Sequence, residues 1–403
     1  MSYFKDSDDE ERVQGWSYSK RNICAKCLDD PHLRSVVEAN AEHQKCDFCG
    51  RKGKKKPIAA PFNKVMKPIA DAVFEYWNHV EDEPIAWDQE DYRYVGTTYD
   101  TYDLVHTVIP APSEDSDVMD HIADLFEDHT WCEKSPYAVT GTERYSISWE
   151  QFCKTVKYQV RYFFESVESE RFYEGIPVPQ MLDELRDIIQ NAGLLMKLPE
   201  GTPFYRIRVH KPTVTCNSWD SLGPPPPERC PSNRMSAAGI SVFYAGMDLA
   251  TAKAETSANL KSSDTQVFTA GTWTNTRPLT VLDLSKLPPI PEFYAGFRYE
   301  RDQLAFMHEF VDEIRKPVSH DGREHIDYVP TQILTEYFRH RYKVSESGTL
   351  DGIIYKSAQR PNGRSIILFA SHDDLDPNKD GSDAKPILKL EPSSIKRLRP
   401  RKP

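Results

Sequence analysis

The stretch Leu198-Pro199-Glu200-Gly201-Thr202-Pro203-Phe204-Tyr205-Arg206-Ile207-Arg208-Val209 divides the chain into two styles of sequence. Pro and Gly interrupt the chain first, and an alternating run follows. Downstream, short β-like runs dominate: Phe204–Val209, Ser241–Tyr244, Gln266–Thr274, Leu279–Asp283, Gly352–Tyr355 and Ser365–Phe369. Turn residues separate them, and helices are expected over Leu249–Asn259, Arg301–Ile314 and Thr331–Arg341. Gly223-Pro224-Pro225-Pro226-Pro227 reads as a stiff extended loop, because each proline fixes φ.

Upstream, the apolar spacing is helical. Val65, Ile69, Val73 and Trp77 predict a helix over Asn63–His79, and Val118, Ile122 and Leu125 predict one over Asp117–Asp128. A third should start near Ser148 as N-cap and carry Phe152, Val156, Val160 and Phe163; a fourth spans Pro179–Ala192. Tyr92–Ser116 is polar, aromatic and acidic and reads as loop or extended chain. The expected architecture is therefore α+β: a cysteine-bearing module over 1–60, a helical domain over 61–197 and a sheet domain over 198–403.

The 403 residues are 39% hydrophobic and 28% charged, an ordinary globular balance with enough apolar material for a sizeable core. A net charge of −11 disfavours general nucleic-acid binding, which needs clustered cations. The basic runs Arg51–Lys56 and Lys396–Lys402 read as a solvated loop and tail. No run reaches the length of a membrane span, and the polar N-terminus has no signal-peptide shape. A cytoplasmic, membrane-free protein is expected, and there the eight cysteines argue for metal or free thiols over disulfides.

Four of those cysteines form a pattern. Cys24-Ala25-Lys26-Cys27 is followed after 18 residues by Cys46-Asp47-Phe48-Cys49. Two CxxC knuckles at this separation are a zinc signature, and four thiolates close a tetrahedron with no position left for catalysis. Structural zinc on Cys24, Cys27, Cys46 and Cys49 is expected. Cys132, Cys153, Cys216 and Cys230 have no such spacing.

Three polar features stand out downstream. Arg206 and Arg208 share one face of an alternating strand, where two guanidinium groups suit a diphosphate. The stretch Asn233–Gly246 brings the loop cation Arg234 towards a strand ending at Tyr244, and the helix after it carries Glu255. Leu350–Ser357 is an apolar strand ending in the polar Ser357. Each alone is ordinary: a solvated arginine pair, a helix-surface glutamate, a turn serine.

In order, Arg206, Glu255 and Ser357 resemble the Arg-Glu-Ser set that names RES domains. Surrounding words agree, among them Leu222–Pro226, Arg234–Ile240, Phe243–Gly246, Thr251–Glu255, Tyr328–Gln332 and Gly352–Ser357. The front half is similar to the HEPN/RES N-terminal extension of large RES proteins. The resemblance implies an ADP-ribosyltransferase-like, split mixed sheet with a cleft for NAD. It implies an NAD glycohydrolase yielding nicotinamide and ADP-ribose, a toxin or antiviral defence effector of the toxin–antitoxin kind. By matching position, Arg206 and Arg234 would hold the diphosphate or adjacent ribose, Tyr244 would stack on nicotinamide, Glu255 would sit by the nicotinamide ribose, and Ser357 would orient nicotinamide or its ribose; Arg208 joins the cofactor-binding candidates from its place on the strand face of Arg206. Glu255, Arg206 and Ser357 form the candidate catalytic set. Some family members have Tyr directly after the first Arg; Ile207 stands there in this chain, and Tyr205 or Tyr355 is a substitute stacking partner.

That chemistry suits the residue types. NAD carries a cationic leaving group on the anomeric carbon, and cleavage passes through an oxocarbenium-like species that a carboxylate stabilises. Alternatives are ADP-ribose transfer to a protein or nucleic acid from the same cleft, a degenerate nucleotide binder, and a sensor or ribonuclease role for the N-terminal half. The Arg-to-His spacing of HEPN ribonucleases is not found between residues 61 and 200. An antitoxin or regulatory protein and a second copy of the chain are the expected partners.

Overall fold

Continuous apolar runs such as Ile353-Ile354 and Ile366-Ile367-Leu368 require cover on both faces of their strands, and the computed structural model shows what covers them. It describes residues 15–134, 141–163, 177–258, 267–290, 292–293, 298–315, 322–344, 348–378 and 385–398. The chain forms two compact units, one of residues 1–140 with 289–302 and one of 141–288 with 303–403.

In the first unit, β1 (Asn22–Cys24) pairs with β2 (Ala59–Pro61), and helix α1 (Pro31–Ala39) lies between them in sequence. Asp30 caps α1 by accepting from the Leu33 amide, and Pro31 occupies the first turn, where its missing N–H costs nothing. Helix α2 (Asn63–Tyr76) buries Val65, Ile69 and Val73 as the spacing requires. It stops at Tyr76, three residues earlier than expected. Trp77–His79 instead form β3, because they pair with Glu133, Cys132 and Trp131 of a strand the sequence did not suggest. Pairing across the unit overrides local periodicity there. That strand, Thr130–Glu133, also pairs with Tyr99–Asp100, which lies in the segment expected as loop or extended chain; the helical turns Thr101–Asp103 and Leu104–Val108 within that segment were not expected. Helix α3 (Ser116–Leu125) buries Val118, Ile122 and Leu125. The cysteine knuckles do not stand apart: Cys24, Cys27 and Cys46 belong to one core with Leu33, Ile69 and Ile122.

The second unit is a nine-stranded mixed sheet with helices. Helix α4 (Gly141–Tyr158) begins before Ser148, which is buried inside it and back-bonds to the Arg144 carbonyl at 2.6 Å. Ser148 is thus no N-cap. The apolar face runs on to Tyr145, one turn upstream. Val160 and Phe163 lie beyond its end, and Phe163 is 77% exposed. Helix α5 (Val178–Asn191) follows. The strands are β4 (Leu195–Leu198), β5 (Pro203–His210), β6 (Phe243–Gly246), β7 (Val267–Asn275), β8 (Leu279–Asp283), β9 (Gly352–Lys356), β10 (Arg364–Leu368), β11 (Leu388–Leu390) and β12 (Lys396–Leu398). Their order is β11-β7-β5-β6-β10-β9-β8-β4, with β12 also on β7. β8 and β9 run parallel; the other pairings are antiparallel. Of the basic run Lys396–Lys402, Lys396–Leu398 is a strand on β7 whose Lys396 and Arg397 are exposed, and residues 399–402 lie outside the described residues.

Ile353 and Ile367 face α4, α5, helix α6 (Arg298–Arg315) and helix α7 (Val329–Glu336), while Ile354 and Ile366 face Phe204, Phe243 and Trp273. Both faces are buried, which explains why these strands read as continuous apolar runs. Between β6 and β7 in the chain, helix α8 (Leu249–Ala258) leaves β6 and lies close upon it. At Gly246 a Cβ would sit 2.6 Å from the Ala252 amide nitrogen, so only glycine admits this approach.

Candidate active site

The sheet has a seam. β5 pairs with β7 over eight positions, but with β6 at one only, Tyr205 opposite Gly246. Beyond that pair the two strands part, so the mixed sheet is split here, although one ladder contact keeps it continuous. Arg206 spans the opening. Its Nη1 donates to the Tyr244 carbonyl at 2.6 Å and its Nη2 to the Gly223 carbonyl at 3.2 Å. The guanidinium also lies 5.2 Å from the Phe243 ring centroid. Burial, together with Arg208 on the same strand face, draws its pKa down to about 10. Its Nε–H is buried with no hydrogen-bond partner among the described residues.

Tyr244 lies on the other side of the seam. Its hydroxyl meets Ser236 Oγ at 3.2 Å, and burial pushes its pKa up to about 12. Ser236 belongs to the loop that carries Arg234, and α7 fastens that loop. Thr331 Oγ1 donates to the Arg234 carbonyl at 2.6 Å, and Gln332 Nε2 donates to the Asn233 carbonyl at 2.7 Å and to Ser232 Oγ at 2.9 Å. The Arg234 guanidinium sits 5.9 Å from the Tyr328 ring centroid. Burial lowers its pKa, while Tyr328, Tyr355 and Glu255 favour its charge.

Glu255 projects from α8, half-buried, and accepts a hydrogen bond from Ser357 Oγ at 2.5 Å. Ser357 is buried just past the end of β9, and Tyr355 precedes it by two residues. Burial holds the Tyr355 phenol neutral well above its ordinary range, with Tyr244 and Glu255 adding to that shift and Arg234 opposing it. The structure thus gathers Arg234, Tyr355, Glu255 and Ser357 into one electrostatic group, with Tyr244 linking it to Arg206. Arg208 keeps company with Arg206 and Cys216. Ser236, Tyr328, Thr331 and Gln332 are not among the site residues read from sequence; they stand only within the family-like words Arg234–Ile240 and Tyr328–Gln332.

The four knuckle thiols of the first unit converge. Cys24 Sγ lies 3.8 Å from Cys27 Sγ and 3.6 Å from Cys49 Sγ, and Cys27 Sγ lies 3.8 Å from Cys46 Sγ. All four lie within 4.8 Å of one another. A tetrahedron with metal–sulfur arms of about 2.3 Å has edges of roughly 3.8 Å, so the group fits a metal ion without rearrangement. The Cys24 amide donates to Cys46 Sγ at 3.3 Å, as thiolates at such sites require.

A mixed sheet joined at this point by a single strand pair, with arginines, tyrosines and a serine-held glutamate around the junction, places a polar, charged cluster on an α+β scaffold. The family model of the RES domain matches residues 203–388, and that of HEPN/RES N-terminal domain 1 matches 39–170. The chain is a RES-domain protein with a HEPN/RES N-terminal domain 1, as the sequence words indicated. RES domains are tied to NAD-related toxin function. No curated protein and no solved structure matches the chain. No helix among the described residues is long and apolar enough to cross a membrane.

Proposed function

We propose that the chain is an NAD glycohydrolase and that Glu255 is the carboxylate beside the bond that breaks. The observation that carries this is the Ser357–Glu255 hydrogen bond within reach of Arg234 and two buried, neutral tyrosines. Hydrolysis of NAD breaks the bond between the nicotinamide nitrogen and the ribose anomeric carbon. Nicotinamide leaves with the bonding electron pair and becomes neutral, and positive charge develops on the ribose ring. A carboxylate fixed next to that sugar stabilises the charge, with no need to reorganise as it forms. Water then supplies the hydroxyl of free ADP-ribose and loses a proton.

Arg206, Arg208 and Arg234 supply the positive field for the diphosphate, and Tyr244 and Tyr355 supply aromatic faces for nicotinamide. Zinc on Cys24, Cys27, Cys46 and Cys49 is structural in this reading and takes no part in the chemistry. Depletion of NAD would make the protein a toxin or defence effector under control of a neutralising partner.

The test is to incubate the purified chain with NAD and follow nicotinamide and ADP-ribose by chromatography, beside Glu255→Gln. Release of both products by the wild type, reduced at least about 100-fold in the variant, is the expected result. Nicotinamide without free ADP-ribose would replace hydrolysis by transfer to a macromolecule. A wild-type rate in Glu255→Gln would end the assignment of that residue.

A further inference from the structure

The Ser357 hydroxyl has three neighbours, and together they dictate where its proton points. The backbone N–H groups of Gln359 and Arg360 each donate to Ser357 Oγ at 3.2 Å. A hydroxyl has two acceptor sites and one proton. With both acceptor sites used, the proton is left for Glu255 Oε1, 2.5 Å away. Ser357 therefore presents a fixed donor to the carboxylate.

The turn that supplies those two N–H groups is itself fastened elsewhere. It is closed by the Ser357 amide donating to the Gly363 carbonyl at 2.8 Å and the Gly363 amide donating to the Arg360 carbonyl at 3.0 Å. From it, Arg360 Nη1 reaches α8, donating to Asp248 Oδ1 at 2.6 Å and Thr251 Oγ1 at 3.0 Å. Asp248 in turn accepts from the Thr251 amide at 2.9 Å and from the Thr251 hydroxyl at 2.7 Å. Burial works against the Asp248 charge, but Thr251 and Arg360 hold its carboxyl below the usual range. The turn packs tightly on this helix start: a Cβ at Gly363 would lie 2.8 Å from Thr251 Oγ1. The same turn thus grips α8 at its beginning, through Asp248 and Thr251, and again two turns later, through Glu255. At 1.5 Å of rise per residue the grips are roughly 10 Å apart. Two anchor points separated along a helix fix its rotation and its slide, which one point cannot do.

We propose that Arg360, acting through Asp248 and Thr251, is a positioning residue that sets where the Glu255 carboxylate stands against the NAD glycosidic bond. This rests on the reading of Glu255 given above. The Arg360 and Asp248 side chains are 41% and 47% exposed, so their ion pair adds little to global stability. The effect should fall on kcat, because the groups proposed to hold the diphosphate and nicotinamide, Arg206, Arg234 and Tyr244, are not held by this turn.

The test measures kcat, KM and thermal midpoint for Arg360→Ala, Arg360→Lys, Asp248→Asn and the Arg360→Ala/Asp248→Asn double variant. Arg360→Ala should lower kcat about 10- to 100-fold with KM and midpoint nearly unchanged, the range expected for a misplaced catalytic group. Arg360→Lys should recover part of the loss, and the double variant should be no worse than Arg360→Ala. A wild-type kcat in Arg360→Ala, or additive losses in the double variant, would overturn the proposal. Hydrogen–deuterium exchange of peptides covering residues 247–258 and 355–365 supplies a second readout that needs no NAD activity. Faster exchange of both peptides in Arg360→Ala shows the latch opening. If wild type is inert towards NAD and this exchange still rises, the glycohydrolase reading fails while the latch stands. If exchange is unchanged, the latch itself is refuted.

Discussion

Replacing Arg206 by lysine separates two roles that the sequence alone merges. In the structure the two Nη groups of Arg206 serve two carbonyls, those of Tyr244 and Gly223. Lysine keeps the charge, but its single ammonium cannot replicate the planar fork that reaches both. One buried carbonyl loses a charge-assisted hydrogen bond, a loss of about 1.5–3 kcal/mol. For a unit of this size that corresponds to a fall in melting temperature of roughly 3–12 °C. The assay is thermal and urea unfolding of the full chain without ligand, with NAD affinity measured beside it by calorimetry. If Arg206→Lys melts with the wild type and only NAD affinity falls, the guanidinium is a ligand group and its role in bracing the seam is refuted. If stability falls without NAD present, Arg206 holds Tyr244 and the Gly223 loop in place whatever it does for the diphosphate.

Tyr244→Phe tests the phenol. A folded-state pKa of about 12 lies above the unfolded value near 10, so the neutral phenol favours the fold fully below about pH 10 and this contribution is lost as pH rises to 12. The variant should resist alkaline unfolding better than wild type over that window and match its pH dependence between about 6 and 9; equal alkaline midpoints would show that the phenol ionises freely. For the thiol cluster, elemental analysis should find about one zinc per chain, and Cys46→Ser or a strong chelator should abolish cooperative melting of the first unit, because the thiols lie within its core. Full cooperativity in metal-free protein would refute a structural metal.

Much of the architecture was legible because burial imposes period. Ile353 and Ile367 on one face and Ile354 and Ile366 on the other make an apolar run that no loop sustains, and α2, α3 and α5 keep their stripes. Misreadings came where pairing or helix extension overruled local spacing. Trp77 fits the stripe of α2 yet pairs with Glu133, and Ser148 has the chemistry of a cap yet lies inside α4. Lys396–Leu398 is short and basic, and only its partner β7 makes it a strand.

Site legibility follows the same division. Glu255, Arg234, Tyr244 and Ser357 could be named because each stands within a recognisable family word, Thr251–Glu255, Arg234–Ile240, Phe243–Gly246 and Gly352–Ser357. What those words do not contain is the one-residue contact between β5 and β6, since the point where strands part is set by register across the sheet. Nor do they contain the Arg360 latch: Asp248 and Arg360 are 112 positions apart, and nothing in either neighbourhood marks the other. Residue types are chosen locally, but the direction of a hydroxyl proton or the commitment of a guanidinium fork depends on backbone atoms delivered from distant strands. The serine of the motif illustrates the difference. As a word it reads as a group that meets substrate; the structure adds that, with both acceptor sites filled from its own turn, the hydroxyl turns its proton to the glutamate beside it.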